Sequence, residues 1–153
     1  VQAGRNTYNP DYSSALLRGD MVVHYYLDER DSTIIRLVLD GQWTWAEYFV
    51  VLEQILTHVR SKDTMFDCIV EGRMGFPGGS ALSQLNHVVR QLPPNIGVIV
   101  VVTSNSFVRT INQILFQISK RAQSIGSVAD TIDQAYAIIS ARRIERSVSS
   151  SSG

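Results

Sequence analysis

Cysteine is almost missing from this chain: Cys68 is the single one in 153 residues. An internal disulfide is thereby excluded, and so is a cysteine-rich metal site. Net charge is missing too. Fourteen basic and fourteen acidic side chains cancel, which removes any whole-chain electrostatic argument for nucleic acid or an anionic membrane surface. Long hydrophobic runs are absent: the longest, Val98 to Val102, falls far short of the ~20 residues a bilayer span needs. No leader pattern opens the chain at Val1, and a cytoplasmic location is the default expectation. His24 has no second histidine or cysteine near it in sequence, so a half-buried or edge histidine is expected there rather than a metal ligand. What remains is an apolar fraction of 44% in a chain long enough for one real core.

The stretch Met65 to Leu92 organises the rest. Met65 to Val70 reads as a buried strand. Gly72, Gly75, Pro77, Gly78 and Gly79 form a glycine-rich loop. From Ser80 the apolar residues Leu82, Leu85, Val88, Val89 and Leu92 repeat with helical spacing. Upstream, Met21 to Leu27 and Thr33 to Leu39 flank a charged turn and read as a hairpin, closed by Asp40-Gly41. Thr44 and Glu47 make a capping box for helix one, whose buried stripe is Tyr48, Leu52, Ile55, Leu56 and Val59. His58 falls among these apolar neighbours, close to the polar face. Downstream, Pro93-Pro94-Asn95 stops helix two. Ile96 to Val102 is apolar throughout, as in a strand covered on both faces.

Thr103 to Ser106 then caps helix three, whose wide apolar face (Phe107, Val108, Ile111, Ile114, Leu115, Ile118, Ala122) implies deep packing or contact with a partner or ligand. Ser124 to Val128 is a short last strand. Thr131 and Gln134 cap helix four, and Arg142, Arg143 and Arg146 load its end with positive charge. The expected fold is α/β: a mixed, mostly parallel sheet opened by a β-hairpin, with four helices in the order β-β-α-β-α-β-α-β-α. Residues 1–20 read as a polar N-terminal arm with Tyr8, Tyr12, Leu16 and Leu17 as its apolar handles. Residues 21–146 form one domain, and 147–153 read as a disordered, serine-rich tail.

Site chemistry is sparse. The loop Gly72 to Ser80 lacks the Lys-Ser/Thr ending of a P-loop, and its glycine spacing matches no dinucleotide fingerprint. Glu71 beside Arg73 is a site pair or an ordinary strand-end pair. Cys68 in a central strand reads as a small buried hydrophobe. Trp43 and Trp45 either pack the strand–helix corner or stack on a ligand. His87 lies about 10 Å along the helix from Ser80, too far to serve it as a base. No catalytic residue, metal site or cofactor is expected.

With Asp40-Gly41 closing the second strand, the order of elements resembles the STAS family, the anti-sigma-factor antagonists and the cytoplasmic domains of sulfate transporters. The stretches DGQWTWAEYFVVLEQIL, PPNIGVIVVVTSNSFVRTINQIL and ADTIDQAYAII look like divergent bacterial STAS-like domains, and the resemblance covers about residues 21–141. In STAS antagonists a serine that opens helix two, within an Asp-Ser-Ser-Gly-Leu motif, is phosphorylated. Here the matching residues are Gly78-Gly79-Ser80-Ala81-Leu82. Ser80 and Leu82 fit; Gly78 replaces the aspartate and Ala81 the glycine. Ser80 is thus an N-cap or a phosphorylation site.

The resemblance implies a non-catalytic regulatory or protein-interaction module. Its partner-binding surface would use Arg73, Met74, Phe76, Gly78, Gly79 and Ser80, with Met74 and Phe76 as apolar residues at the loop tip. One alternative is a carrier for a lipid or other small apolar ligand between helices two and three, for which a cavity there is the requirement. Another is a self-associating or structural subunit of a larger assembly, docked through the 1–20 arm.

Overall fold

The computed structural model describes residues 22–72 and 75–152. The 1–20 arm, Arg73 and Met74 lie outside the described residues. A five-stranded sheet runs in the order β1-β2-β3-β4-β5, formed by β1 (Val23–Leu27), β2 (Ile34–Leu39), β3 (Phe66–Gly72), β4 (Ile96–Val102) and β5 (Gly126–Ala129). The β1–β2 pair is antiparallel and every other pair is parallel, the mixed, hairpin-opened α/β fold expected. The described residues form five helices: α1 (Trp45–Arg60), α2 (Ala81–Gln91), α3 (Ser106–Ile118), α4 (Lys120–Ile125) and α5 (Ile132–Ser152). The expected third helix is two, because Ser119 ends one and caps the next. Its N–H donates to the Leu115 carbonyl and its hydroxyl accepts from the Ala122 N–H.

Sequential parallel strands joined by right-handed crossovers place their helices on one face of the sheet. That accounts for the two cores. Val23, Tyr25, Ile35, Leu37, Leu39, Phe66 and Cys68, alternate residues of β1 to β3, share the first core with α1, α2 and Ile125 of α4. The residues between them, Ile34 and Ile69, meet Val98, Val100, Ala135 and Ile139 in the second core. Among the described residues α5 alone, which follows the last strand, covers that face.

Arginines fix α5 there. Asp67 is fully buried in β3. It accepts from Arg143 Nε at 2.7 Å and from both Arg146 Nη atoms at 3.0 and 3.1 Å. Arg143 also donates to Asp31 at 2.6 Å and to the Thr33 hydroxyl at 2.8 Å. The β3–β4 register slips beside Asp67, between Phe66 and Cys68, and the freed Val98 N–H donates to Asp67 Oδ1 at 2.8 Å. A bulge of this kind re-aims side chains. Gly97 sits in it, and a Cβ there would lie 2.5 Å from both Arg146 Nη1 and Asp67 Oδ1.

Two expectations about the C-terminus are corrected. Arg142, Arg143 and Arg146 do not close a helix: α5 continues to Ser152, and two of these arginines are docking groups in its middle. The serine-rich end, expected to be disordered, is helical. Serine is only a moderately poor helix former, and extending an existing helix avoids the nucleation cost.

Candidate functional site

The loop after β3, the start of α1 and the start of α3 meet at the carboxyl ends of the parallel strands, the side of an open α/β sheet where ligands bind. The capping box forms as read: Thr44 Oγ accepts from the Glu47 N–H at 3.1 Å, and Glu47 Oε1 accepts from the Thr44 N–H at 2.9 Å. It anchors Trp45 and Tyr48 on the first turns of α1. Trp43 and Trp45 pack edge to face with centroids 4.9 Å apart, and Phe76 stacks on Trp45 at 5.9 Å.

Phe76 is therefore no free loop tip. It is half-buried against the first core, and the exposed aromatic beside it is Phe107, at 6.3 Å. Phe76 departs from the expected apolar tip because two tryptophans offer it more contact than water does; Met74, the other expected tip residue, lies outside the described residues. Gly78, Gly79 and Ser80 are exposed. Ser80 caps α2, its hydroxyl accepting from the Ser83 N–H at 3.3 Å. Glu71 pairs with Arg36 of β2; Arg73, the other half of the expected pair, lies outside the described residues.

Beneath this rim lies a cavity of about 100 Å³ between the sheet, α2, α3 and α4. Val70, Ile99 and Val101 form its floor, Leu85 and Val89 one wall, Val108 and Leu115 another. Ile99 and Val101 belong to a central strand, yet they are only half-buried, because the helices above do not close on them. Among the described residues no charged side chain lines the cavity. Its polar side chains are Trp43, Tyr48 and Asn112. Burial, with Cys68 beside it, pushes the Tyr48 phenol far above its usual range. Burial and the neighbouring Asp67 push the Cys68 thiol up to about 12, so the cysteine is an inert core residue. Asn112 is only 6% exposed. Its amide nitrogen donates to the Val108 carbonyl at 2.9 Å, and its oxygen meets no donor among the described residues.

The histidines stand apart from the cavity. His24 is half-buried on the edge strand β1. His58 is 4% exposed, deeper than the nearby polar face implied, with its ring 5.2 Å from Phe66. His87 packs on Phe49 at 5.8 Å. Among the described residues no group of three His, Cys, Asp or Glu side chains could hold a metal ion, and no helix is long and apolar enough to cross a membrane.

Asn112 escaped the reading of the sequence, although a signal was there. It sits four residues after Val108 and three before Leu115, a polar residue on an otherwise apolar stripe. Comparison with protein-family models, curated proteins and solved structures finds no match to this chain.

Proposed function

We propose that this is a STAS-like, non-catalytic binding domain whose ligand is a small apolar molecule taken up between α2, α3 and the sheet, with Gly72 and Phe76 in its lining. The observation that carries the reading is the cavity of about 100 Å³ with no charged side chain in its lining among the described residues. An apolar cavity of about 150 Å³ stays dry and accepts benzene, so the occupant here is ring-sized or the end of a chain. The sequential strand order with a leading antiparallel hairpin supports the STAS-like layout. The buried thiol and the capping role of Ser80 support a binding rather than a catalytic role.

The test is to extract the protein, purified from its own source, with organic solvent beside a Val101→Phe variant made in the same host. The added ring fills the cavity from its floor. A small neutral molecule enriched in the wild-type extract alone is the expected result. Identical extracts from the two proteins, both folded, contradict the proposal.

A further inference from the structure

We infer that the ligand of this cavity is a neutral, ring-sized molecule bearing one hydroxyl, and that the hydroxyl donates its hydrogen to Asn112 Oδ1. The inference rests on the apolar-ligand reading above and deepens it.

Size comes from the volume of about 100 Å³. Neutrality comes from the lining: with no charged side chain there among the described residues, a carboxylate or ammonium would lose its hydration without a counter-charge from them, at a high cost. The hydroxyl comes from Asn112. The residue is more than nine-tenths buried, and one of its two amide N–H groups is committed to the Val108 carbonyl. What this lining residue leaves for the cavity is the carboxamide oxygen, which has no donor among the described residues, and the second N–H. Polar groups without partners in an apolar site carry a desolvation penalty, and a hydroxyl can donate to the oxygen while accepting from that N–H. A leucine would fit the apolar stripe of α3 without that penalty. A purely hydrocarbon ligand would leave the penalty in place; an alcohol or phenol removes it. The Tyr48 hydroxyl, which no hydrogen bond engages among the described residues, lines the same space and can donate to the ligand's oxygen.

Phenol and toluene separate these ideas, since they match in size and differ by hydroxyl against methyl. Both are titrated into the full chain by calorimetry, and into Asn112→Leu. The wild type is expected to bind phenol at least as tightly as toluene, despite phenol's better hydration in water. The leucine variant is expected to lose about tenfold or more in phenol affinity, the worth of one hydrogen bond, while keeping toluene. Toluene tighter than phenol by about tenfold on the wild type overturns the hydroxyl assignment and leaves the apolar site standing. Phenol unaffected by Asn112→Leu overturns the role of Asn112 and moves the contact to Tyr48. If neither probe binds the wild type, the apolar-ligand reading itself fails. The wild-type comparison needs no variant, so a misfolded Asn112→Leu does not protect the inference.

Discussion

Asp67 is held from several sides: it is fully buried and bonded to a strand N–H and to two arginines of one helix. Asp67→Ala strands two guanidinium groups in a partly buried site, and breaking a buried ion pair in this way costs about 3–5 kcal/mol. A urea midpoint close to that of the wild type would refute the account of α5 docking. Gly97→Ala pushes a methyl into the same cluster and is expected to lose roughly 1–3 kcal/mol by overpacking, read from the same curves. Cys68 gives an opposite kind of prediction. Its thiol, buried and pushed up to about 12, should resist a thiol reagent at neutral pH in the native protein and react fully in denaturant; rapid native labelling would contradict its place in the core. None of the Asp67 network was legible in the sequence. An aspartate inside an apolar strand looks like one polar interruption, and its partner Arg146 lies 79 residues away.

Elements were more legible than their contacts. The strands and the first two helices followed from local chemistry, namely period, capping residues and prolines, which acts within a few residues. The end of α5 was not legible, because what holds it is tertiary. Arg143 and Arg146 reach the sheet, so the helix is pinned well past the point where its apolar period fades. Truncation separates the two halves. A chain ending at residue 140 loses both arginines, leaves Asp67 unpaired in the core, and is expected not to give a cooperative unfolding transition. A chain ending at residue 149 keeps them and should lose less than about 1 kcal/mol, since serines near a helix end add little. Equal losses from both truncations would show that the arginines do not anchor the helix.

At the scale of the whole molecule, the ionic clusters under α5 make stability depend on pH. At Asp28 burial opposes ionisation, but the Tyr136 hydroxyl, the Arg30 N–H and Arg36 outweigh it and hold the carboxyl below its usual range. At Asp31, Thr33 and Arg143 likewise overcome burial. Both are more readily ionised folded than unfolded, so in acid the unfolded chain binds more protons. Their contribution is complete above about pH 5 and is lost as pH falls through the folded values, below about 3.9. His58 is also depressed, by burial first and then by Lys62. Its neutral form belongs to the fold, and stability declines as pH falls below the unfolded value of about 6.5. Urea midpoints measured from neutral pH downward should therefore fall in two stages, and His58→Phe should remove only the first. A midpoint that rises on acidification would contradict both assignments.

The two faces of the sheet divide the work: α5 and its arginines close one face, and the helices on the other leave a space. The most direct test of that division is a toluene titration followed by methyl NMR. Saturable shifts are predicted at Val101, Val108 and Leu115, which line the cavity, with Ile34 and Ile139 of the opposite core unmoved. Shifts absent from the cavity methyls, or spread equally over both cores, would contradict the claim that this domain holds an apolar ligand between α2, α3 and the sheet.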